Sequence, residues 1–132
     1  MALAAMLVVL ASGCGASSGV SPPGSADLAN GKTVFVSKCG GCHQLADAGT
    51  QGKIGPDLDA AAVGVRLSGF KMSSFEAMVH NQIIEPDPFG KMPKDIVTGQ
   101  DASDVSAYVA SVAGLELAKQ QRERAGGTTA PQ

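Results

Sequence analysis

The sequence predicts a small, predominantly α-helical domain, and three observations support this expectation. The chain has 132 residues, of which 44% are hydrophobic and 17% charged, a composition typical of one globular domain. Three segments carry apolar residues at helical spacing. No segment alternates between apolar and polar residues over the length that a strand needs. We therefore expect three main helices joined by long irregular segments, at residues 44–69 and 85–97.

The beginning of the chain is expected to be an export signal. Residues 1–13 contain no charged side chain and run from an apolar stretch to small residues, the pattern of a secretory signal. The apolar run is shorter than the roughly 20 residues that span a membrane. It ends in ASGC, which resembles the lipobox of bacterial lipoproteins, in which the cysteine becomes the lipidated first residue. We expect Cys14 to hold the protein at the periplasmic or extracytoplasmic face of the cell membrane; an ordinary cleaved signal is the alternative.

Composition divides the rest of the chain into three parts. Residues 14–26 are mainly Gly, Ser, Ala and Pro without periodicity, which is typical of a flexible tether. The folded domain is expected over residues 27–115. Residues 116–132 are expected to form a helical extension and a disordered tail.

The first helix is predicted to begin after a capping residue, Asp27. Leu28, Gly31 and Phe35 then recur at helical spacing and predict an inward apolar stripe. Glycine inside a helix costs roughly 0.5–1 kcal/mol relative to alanine, so Gly31 indicates that another element approaches closely.

The other two helices have comparable signals. A capping box at residues 73–76 (SSFE) predicts the start of the second helix. Its expected buried face consists of Phe75, Met78, Val79 and Ile83. The third helix is predicted to start after Thr98 or Gly99. Its apolar stripe consists of Val105, Tyr108, Val109 and Val112.

The sequence CGGCH at residues 39–43 carries the most specific chemistry. C-x-x-C-H is the signature of covalent c-type haem attachment. The thiols of Cys39 and Cys42 can add to two vinyl groups on one edge of a porphyrin, and His43 then lies beneath the iron. A thioredoxin-like site would need surrounding strands, and a zinc site would need more ligands than Cys14 and His80 offer. The motif therefore predicts haem c, with Gly40 and Gly41 keeping the backbone small against the ring.

Two later motifs extend this interpretation. GPDL at residues 55–58 and FGKMP at residues 89–93 follow the attachment motif in the order and rough spacing of class I (mono-haem) cytochromes c, which the chain resembles over residues 27–115. The resemblance implies an all-α cytochrome c fold wrapped around one covalent haem c. It also implies that the Pro56 carbonyl accepts a hydrogen bond from His43 and that Met92 is the sixth iron ligand.

Met92 has competitors within the sequence. Met78 lies on the apolar stripe of the second helix, where a methionine usually fills the core, and Met72 lies just before that helix. Met92 lies in a loop stiffened by prolines, a segment suited to folding over a ring face. His80 falls off the apolar stripe and is expected on the helix surface.

The resemblance also explains the small number of aromatic residues. The chain has no Trp, one Tyr and four Phe, so the haem is expected to supply the large group at the centre of the core. In class I cytochromes c the first and last helices cross closely through a glycine and two aromatic residues. Gly31, Phe35 and Tyr108 match those positions.

The expected function is one-electron transfer without enzymatic activity. A haem iron with His and Met ligands has no open position, whereas a haem catalyst needs one together with acid–base residues. We expect redox partner proteins of the respiratory chain, such as a quinol-oxidising complex and a terminal oxidase; a fixed cytochrome subunit of one complex is the alternative. The net charge of −2 argues against nucleic-acid binding, and a monomer is expected.

Four lysines are candidates for a docking ring around the haem edge. They are Lys38, Lys53, Lys91 and Lys94. Lysines scattered over the surface without a docking role are an equally ordinary explanation. Electrostatic attraction of a partner depends on the local field rather than on the total charge of the protein.

Overall fold

The computed structural model describes residues 25–126. The expected signal, the lipidation site Cys14, most of the tether and the end of the tail lie outside the described residues. The helices are α1 (Leu28–Val34), α2 (Leu58–Leu67), α3 (Met72–Ile84), α4 (Gly99–Val112) and α5 (Leu115–Arg124). A π-helical turn (Phe35–Cys39) continues α1, and β1 (Gln44–Leu45) pairs antiparallel with β2 (Thr50–Gln51). The predominantly helical fold is confirmed. Within residues 25–126 no helix has the length and apolar character needed to cross a membrane.

The start of α1 agrees with the expectation from sequence. The Asp27 carboxylate accepts the backbone N–H groups of Ala29 and Asn30, at 2.9 and 3.0 Å, and so caps the helix. Gly31 is buried as expected. Leu28 is not part of the buried stripe, because 47% of its surface is exposed.

The close crossing of α1 and α4 is confirmed. A Cβ atom on Gly31 would collide with the backbone carbonyl of Asp104 and lie 2.8 Å from the Cβ of Tyr108. One turn further along, the rings of Phe35 and Tyr108 pack edge to face with centroids 6.1 Å apart. Glycine therefore allows the two helix backbones to touch, and the aromatic pair fills the space beside them.

A buried carboxylate ties the beginning of α1 to α4. Asp104 is 2% exposed and accepts the Asp27 backbone N–H at 2.9 Å, Asn30 Nδ2 at 2.8 Å and Gln100 Nε2 at 2.7 Å. Burial raises the pKa of Asp104, but these hydrogen bonds outweigh burial and hold the pKa below its ordinary value. The ionised carboxylate is thus satisfied without a cationic partner.

Helix α2 was not expected, because residues 44–69 were predicted to be irregular. Asp57 caps it by accepting the backbone N–H of Asp59 at 2.9 Å. The Asp59 carboxylate in turn accepts the backbone N–H groups of Ala46 and Gly114, each at 2.8 Å. These bonds attach the start of α2 both to the residue that follows β1 and to the junction of α4 and α5.

The other end of α2 is attached through Arg66. Its guanidinium donates to the carbonyl oxygens of Ala110 and Ala113, at 2.6 and 3.0 Å, and to the sulfur of Met72 at 2.9 Å. The last carbonyls of a helix lack partners within the helix, so Arg66 satisfies two such groups at the end of α4. Burial, followed by the nearby Arg122, lowers the pKa of Arg66.

The second predicted helix corresponds to α3, with two corrections. It begins at Met72, and its N-cap residue, Lys71, makes no side-chain capping bond, so the expected capping box is not formed. Of the four residues expected to be buried, only Ile83 is, whereas Met78 is 55% exposed. The reason is that this face of α3 lines a cavity rather than a packed core.

Helix α4 matches its prediction closely. Thr98 is its N-cap, and Val105, Tyr108 and Val109 are buried at 3% exposure or less. The helix ends before Gly114, whose φ of +70° is the left-handed conformation that favours glycine, and α5 starts at the next residue.

Candidate functional site

The CGGCH segment forms one compact turn at the end of α1. The π-helical turn carries Cys39, and the backbone N–H of His43 donates to the Cys39 carbonyl at 2.9 Å. The backbone N–H of Gly55 donates to the Cys42 carbonyl, also at 2.9 Å. These bonds hold the motif against the loop that contains GPDL. A π-helical turn, such as the one that carries Cys39, is frequent at functional sites.

The imidazole of His43 is fixed on one side by the protein. Its Nδ1 lies 3.0 Å from the carbonyl oxygen of Pro56. Because a carbonyl can only accept, Nδ1 carries a proton and donates, and in the neutral imidazole Nε2 is then the nitrogen with the free lone pair. The contact inferred from the family resemblance is present in the geometry.

Gly55 has a role that the sequence analysis missed. A Cβ atom at this position would lie 2.5 Å from Cε1 and 2.8 Å from Nδ1 of His43. Only glycine leaves room for the ring next to the Pro56 carbonyl. The sequence feature that could have indicated this role is the glycine that precedes proline in GPDL.

The two thiols differ in their surroundings. Cys39 is buried at 8% exposure and Cys42 is partly exposed, and neither forms a disulfide. Burial, with a smaller contribution from Cys42, raises the pKa of Cys39 to about 11. A reactive redox dithiol needs a lowered thiol pKa, so the environment of Cys39 disfavours the thioredoxin-like alternative. Within residues 25–126 no three His, Cys, Asp or Glu side chains are grouped to hold a metal ion.

Two cavities, of about 260 and 350 Å³, meet at the motif. Five residues line both of them: Cys39, His43, Leu58, Gln82 and Met92. Cys42 and Pro56 line the second cavity. The remaining wall of the first cavity is apolar: Phe35, Ala61, Phe75, Met78, Val79, Ile83, Val105 and Val109. All five residues predicted to bind haem are thus brought together.

The structure separates the candidates for a second axial ligand. Met92 is half-buried and lines both cavities with His43, whereas Met78 lines only the first cavity. Met78 is therefore not the core-filling residue that was expected. Met72 and His80 line neither cavity, and the Met72 sulfur accepts the bond from Arg66.

The two glycines between the cysteines differ in their contacts. A Cβ atom on Gly40 would lie 2.5 Å from Cγ2 of Thr50, in β2. A Cβ atom on Gly41 would have no protein atom of another element within 4 Å. The small size of Gly40 thus permits packing against the short hairpin, a reason that differs from the one expected.

The mouth of the second cavity combines apolar and charged side chains. Lys38 and Lys91 line it together with Asp87 and Ile54, and Ile54 is 66% exposed. Nearby in sequence, Phe89 is 96% exposed. Of the other two lysines considered for a docking ring, Lys53 is exposed, and Lys94 pairs with Glu85 at 3.5 Å.

Comparison with known proteins identifies the family. The cytochrome c family model matches residues 28–113. The chain belongs to the cytochrome c family. It is also similar to the crystal structure of the c-type cytochrome SorU from Sinorhizobium meliloti, with 30% identity, a TM-score of 0.51, and coverage of 66% of this chain and 91% of that chain. A comparison with curated protein sequences gave no significant match.

Members of the cytochrome c family share one type of cofactor. Cytochromes c hold iron in covalently bound haem c and use it for electron transfer with redox partner proteins. The residues of this cytochrome fit such a group, because thiols, an imidazole and a thioether meet at the wall of an apolar cavity. Haem c is therefore the cofactor, and the cytochrome c fold is the scaffold that holds it.

Proposed function

We propose that this cytochrome is a one-electron carrier, with one haem attached through Cys39 and Cys42 and its iron ligated by His43 and Met92. The observation that carries the proposal is that His43 and Met92 line both cavities together. An iron with both axial positions filled has no place for oxygen or peroxide to bind. Its natural chemistry is the gain and loss of single electrons.

The residues of the chain contribute to this chemistry in separate ways. The Pro56 carbonyl fixes the His43 ring and increases its donor strength, because it accepts a hydrogen bond from Nδ1–H. Met92 supplies a neutral thioether, which favours the ferrous state and raises the reduction potential relative to a second histidine. The wall contributed by α3 and α4 is mainly apolar, which suits the face of a porphyrin. Ligands retained in both oxidation states leave little structural rearrangement during transfer.

We further propose that the carrier works outside the cytoplasm, tethered to the membrane through a lipid on Cys14. The apolar residues 1–13, the ASGC sequence and the small-residue stretch that follows support this placement. A tethered, monomeric head would reach respiratory-chain complexes on the same membrane, such as a quinol-oxidising complex and a terminal oxidase. Stable co-purification with a single complex would instead favour a fixed subunit.

Docking is proposed at the mouth of the second cavity, where Lys38 and Lys91 stand beside the exposed Ile54. Charged side chains steer the approach of a partner, and exposed apolar side chains contribute area to a short-lived contact. Acidic residues on the partner would complement these lysines. Electron-transfer rates should then fall with increasing ionic strength.

The first experiment is the visible spectrum of protein made with a haem-c maturation system. Wild-type protein should show a c-type spectrum and the weak far-red band of methionine bound to ferric iron. Met92→Ala should keep the covalent haem, lose that band and bind cyanide or carbon monoxide, whereas the matched variant Met78→Leu should keep the band. Loss of the band in Met78→Leu, but not in Met92→Ala, would identify Met78 as the ligand. Absence of haem from the wild-type protein would refute the proposal.

The anchor is tested separately by fractionation. Cys14→Ser should move the cytochrome from the membrane fraction to the soluble exported fraction, with its visible spectrum unchanged. Continued retention by the membrane would refute lipidation at Cys14. The electron-carrier proposal would be unaffected by that result.

A further inference from the structure

A third cavity, of about 360 Å³, is separate from the attachment motif. It shares no lining residue with the two cavities at that motif. Helix α4 lies between them, because Val105 and Val109 line the first cavity and Ala107 lines the third. At about 3.6 residues per turn, Ala107 points about 160° away from both valines. The third cavity is therefore on the opposite side of α4 from the first.

The N-terminal end of the described chain lies at this cavity. Ala26 and Leu28 line it, and Leu28 is 47% exposed. The chain from Cys14, the proposed lipidation site, to Ala26 spans at most about 40 Å when fully extended. A lipid on Cys14 would therefore keep the rim of this cavity within that distance of the membrane.

Two more exposed apolar side chains lie in the segment that joins α2 to α3. Leu67 is 42% exposed and Phe70 is 44% exposed. The residues that flank them, Arg66 and Met72, both line the third cavity, and the Arg66 guanidinium donates to the Met72 sulfur at 2.9 Å. This contact closes the segment into a turn beside the cavity. Leu67 and Phe70 are therefore presented to solvent close to the point at which the chain from Cys14 arrives.

The charges at the third cavity are mainly positive. Arg66 lines it, Arg122 donates to the Arg66 backbone carbonyl, and Lys71 is the exposed N-cap of α3. Within residues 25–126 none of these three forms an ion pair with an acidic side chain. Glu76 contributes one negative charge to the lining. An excess of positive charge beside exposed apolar side chains complements a surface of anionic phosphate headgroups.

We propose that this face rests on the surface of the anionic lipid bilayer to which the protein is tethered. Its residues, called the lipid face below, are Leu28, Leu67, Phe70, Lys71 and Arg122. The apolar side chains enter the headgroup region, and the basic side chains contact lipid phosphates. Because the first cavity lies across α4, this orientation leaves the iron site to protein partners. The inference rests on the proposed membrane location and is independent of the iron ligands.

The test uses the Cys14→Ser holoprotein, so that binding depends on the lipid face rather than on a lipid anchor. Sedimentation at low ionic strength measures its partitioning onto vesicles of phosphatidylcholine alone and of equal parts phosphatidylcholine and phosphatidylglycerol. We expect binding to the anionic vesicles only. Adding Phe70→Ser and Lys71→Gln should lower the partition coefficient about tenfold. The matched control adds Phe89→Ser and Lys91→Gln, at exposed positions in the loop of Met92, and should leave the coefficient unchanged.

The results distinguish the lipid face from other ways of using this surface. Weaker binding in the Phe70/Lys71 variant alone supports the proposal. An equal or larger loss in the Phe89/Lys91 variant overturns it, as does equal binding to both kinds of vesicle. Absence of binding to either kind also overturns it and leaves the face to a protein partner. Inorganic phosphate at matched ionic strength should not displace the protein; displacement would show a site for free phosphate and overturn the proposal.

A second variant covers a failure of the first to fold. If Phe70→Ser prevents haem incorporation, Lys71→Gln alone is measured by the same criteria. Its N-cap position makes no side-chain capping bond, so the change removes charge without removing a cap. The partition coefficient should then fall about fivefold. The far-red band and the fractionation of wild-type protein test the iron site and the anchor separately, and neither result depends on binding to vesicles.

Discussion

The hydroxyl of Tyr108 in α4 donates a hydrogen bond of 2.6 Å to Oδ1 of Asp47, in the turn that joins β1 to β2. Lys32 of α1 reaches the same oxygen at 3.0 Å. The Tyr108 bond, followed by the Lys32 bond, lowers the pKa of Asp47. The hairpin beside the attachment motif is thus held by both of the crossing helices.

Tyr108→Phe should destabilise the folded protein by about 1–2 kcal/mol, because it removes one hydrogen bond to a carboxylate and keeps the ring contact with Phe35. Urea unfolding of the holoprotein at neutral pH measures the change. Lys32→Met removes only the more exposed partner of Asp47, so it should lower the free energy of unfolding by less than Tyr108→Phe does. An equal or larger loss in Lys32→Met would contradict this ranking.

Asp104 should contribute a component of stability that acid removes. Its folded-state pKa lies below its ordinary value, so between the two pKa values the unfolded chain binds more protons. The contribution is complete above about pH 4, the ordinary range of aspartate, and is lost as pH falls through the lower folded pKa. Asp104→Asn should lower the free energy of unfolding by about 2 kcal/mol at pH 7. It should also make that free energy depend less steeply on pH in the acid range.

Urea unfolding of wild-type protein and Asp104→Asn from pH 3 to pH 7 measures this profile. Glu123→Gln, a change at an exposed carboxylate of α5, is the control. If Asp104→Asn lost stability on acidification as steeply as wild-type protein does, Asp104 would not be the source of the effect.

Two glycine-to-alanine substitutions should have opposite effects on stability. Gly31→Ala places a methyl group against Asp104 and Tyr108 of α4 and should destabilise by about 1–3 kcal/mol, because the helices must separate. Gly64→Ala in α2 meets no atom of another element within 4 Å and should stabilise by about 0.5–1 kcal/mol. Thermal unfolding of both variants provides the comparison, and a shift of the same sign in both would contradict it.

Gly55→Ala should perturb the iron site without removing a ligand. The added methyl group would press on the His43 ring and lengthen its bond to the Pro56 carbonyl. Weaker support of the histidine should decrease the yield of holoprotein. It should also raise the reduction potential, because a less strongly donating imidazole stabilises the ferric state less. Gly64→Ala, remote from the ring, is the control. A potential and yield equal to those of wild-type protein would show that the ring tolerates the displacement.

Much of the fold and site could be predicted because the signals are local. Asp27 caps α1, the spacing of Val105, Tyr108 and Val109 marks α4, and CGGCH identifies the attachment turn. Each of these depends on residues within a few positions of one another. The order of the later motifs then located Pro56 and Met92, which lie at the same cavities as His43.

The features that were missed depend on distant contacts. Helix α2 consists mainly of small residues and is attached through Asp59 to Gly114, a contact that no local pattern encodes. Met78 was expected to be buried because it lies on an apolar helix face, but that face lines a cavity. Cavity walls and packed cores require the same apolar periodicity, so sequence alone did not separate them.

The contacts of Arg66 should respond to acid differently from the contacts made by Asp104 and Asp47. Its acceptors are two carbonyl oxygens and a thioether, none of which takes up a proton in the acid range, and the guanidinium stays charged. The junctions made by Asp104 and Asp47, in contrast, depend on ionised carboxylates. Acidification should therefore weaken the attachment of α1 and of the hairpin, while the contacts that Arg66 makes with the end of α4 are retained.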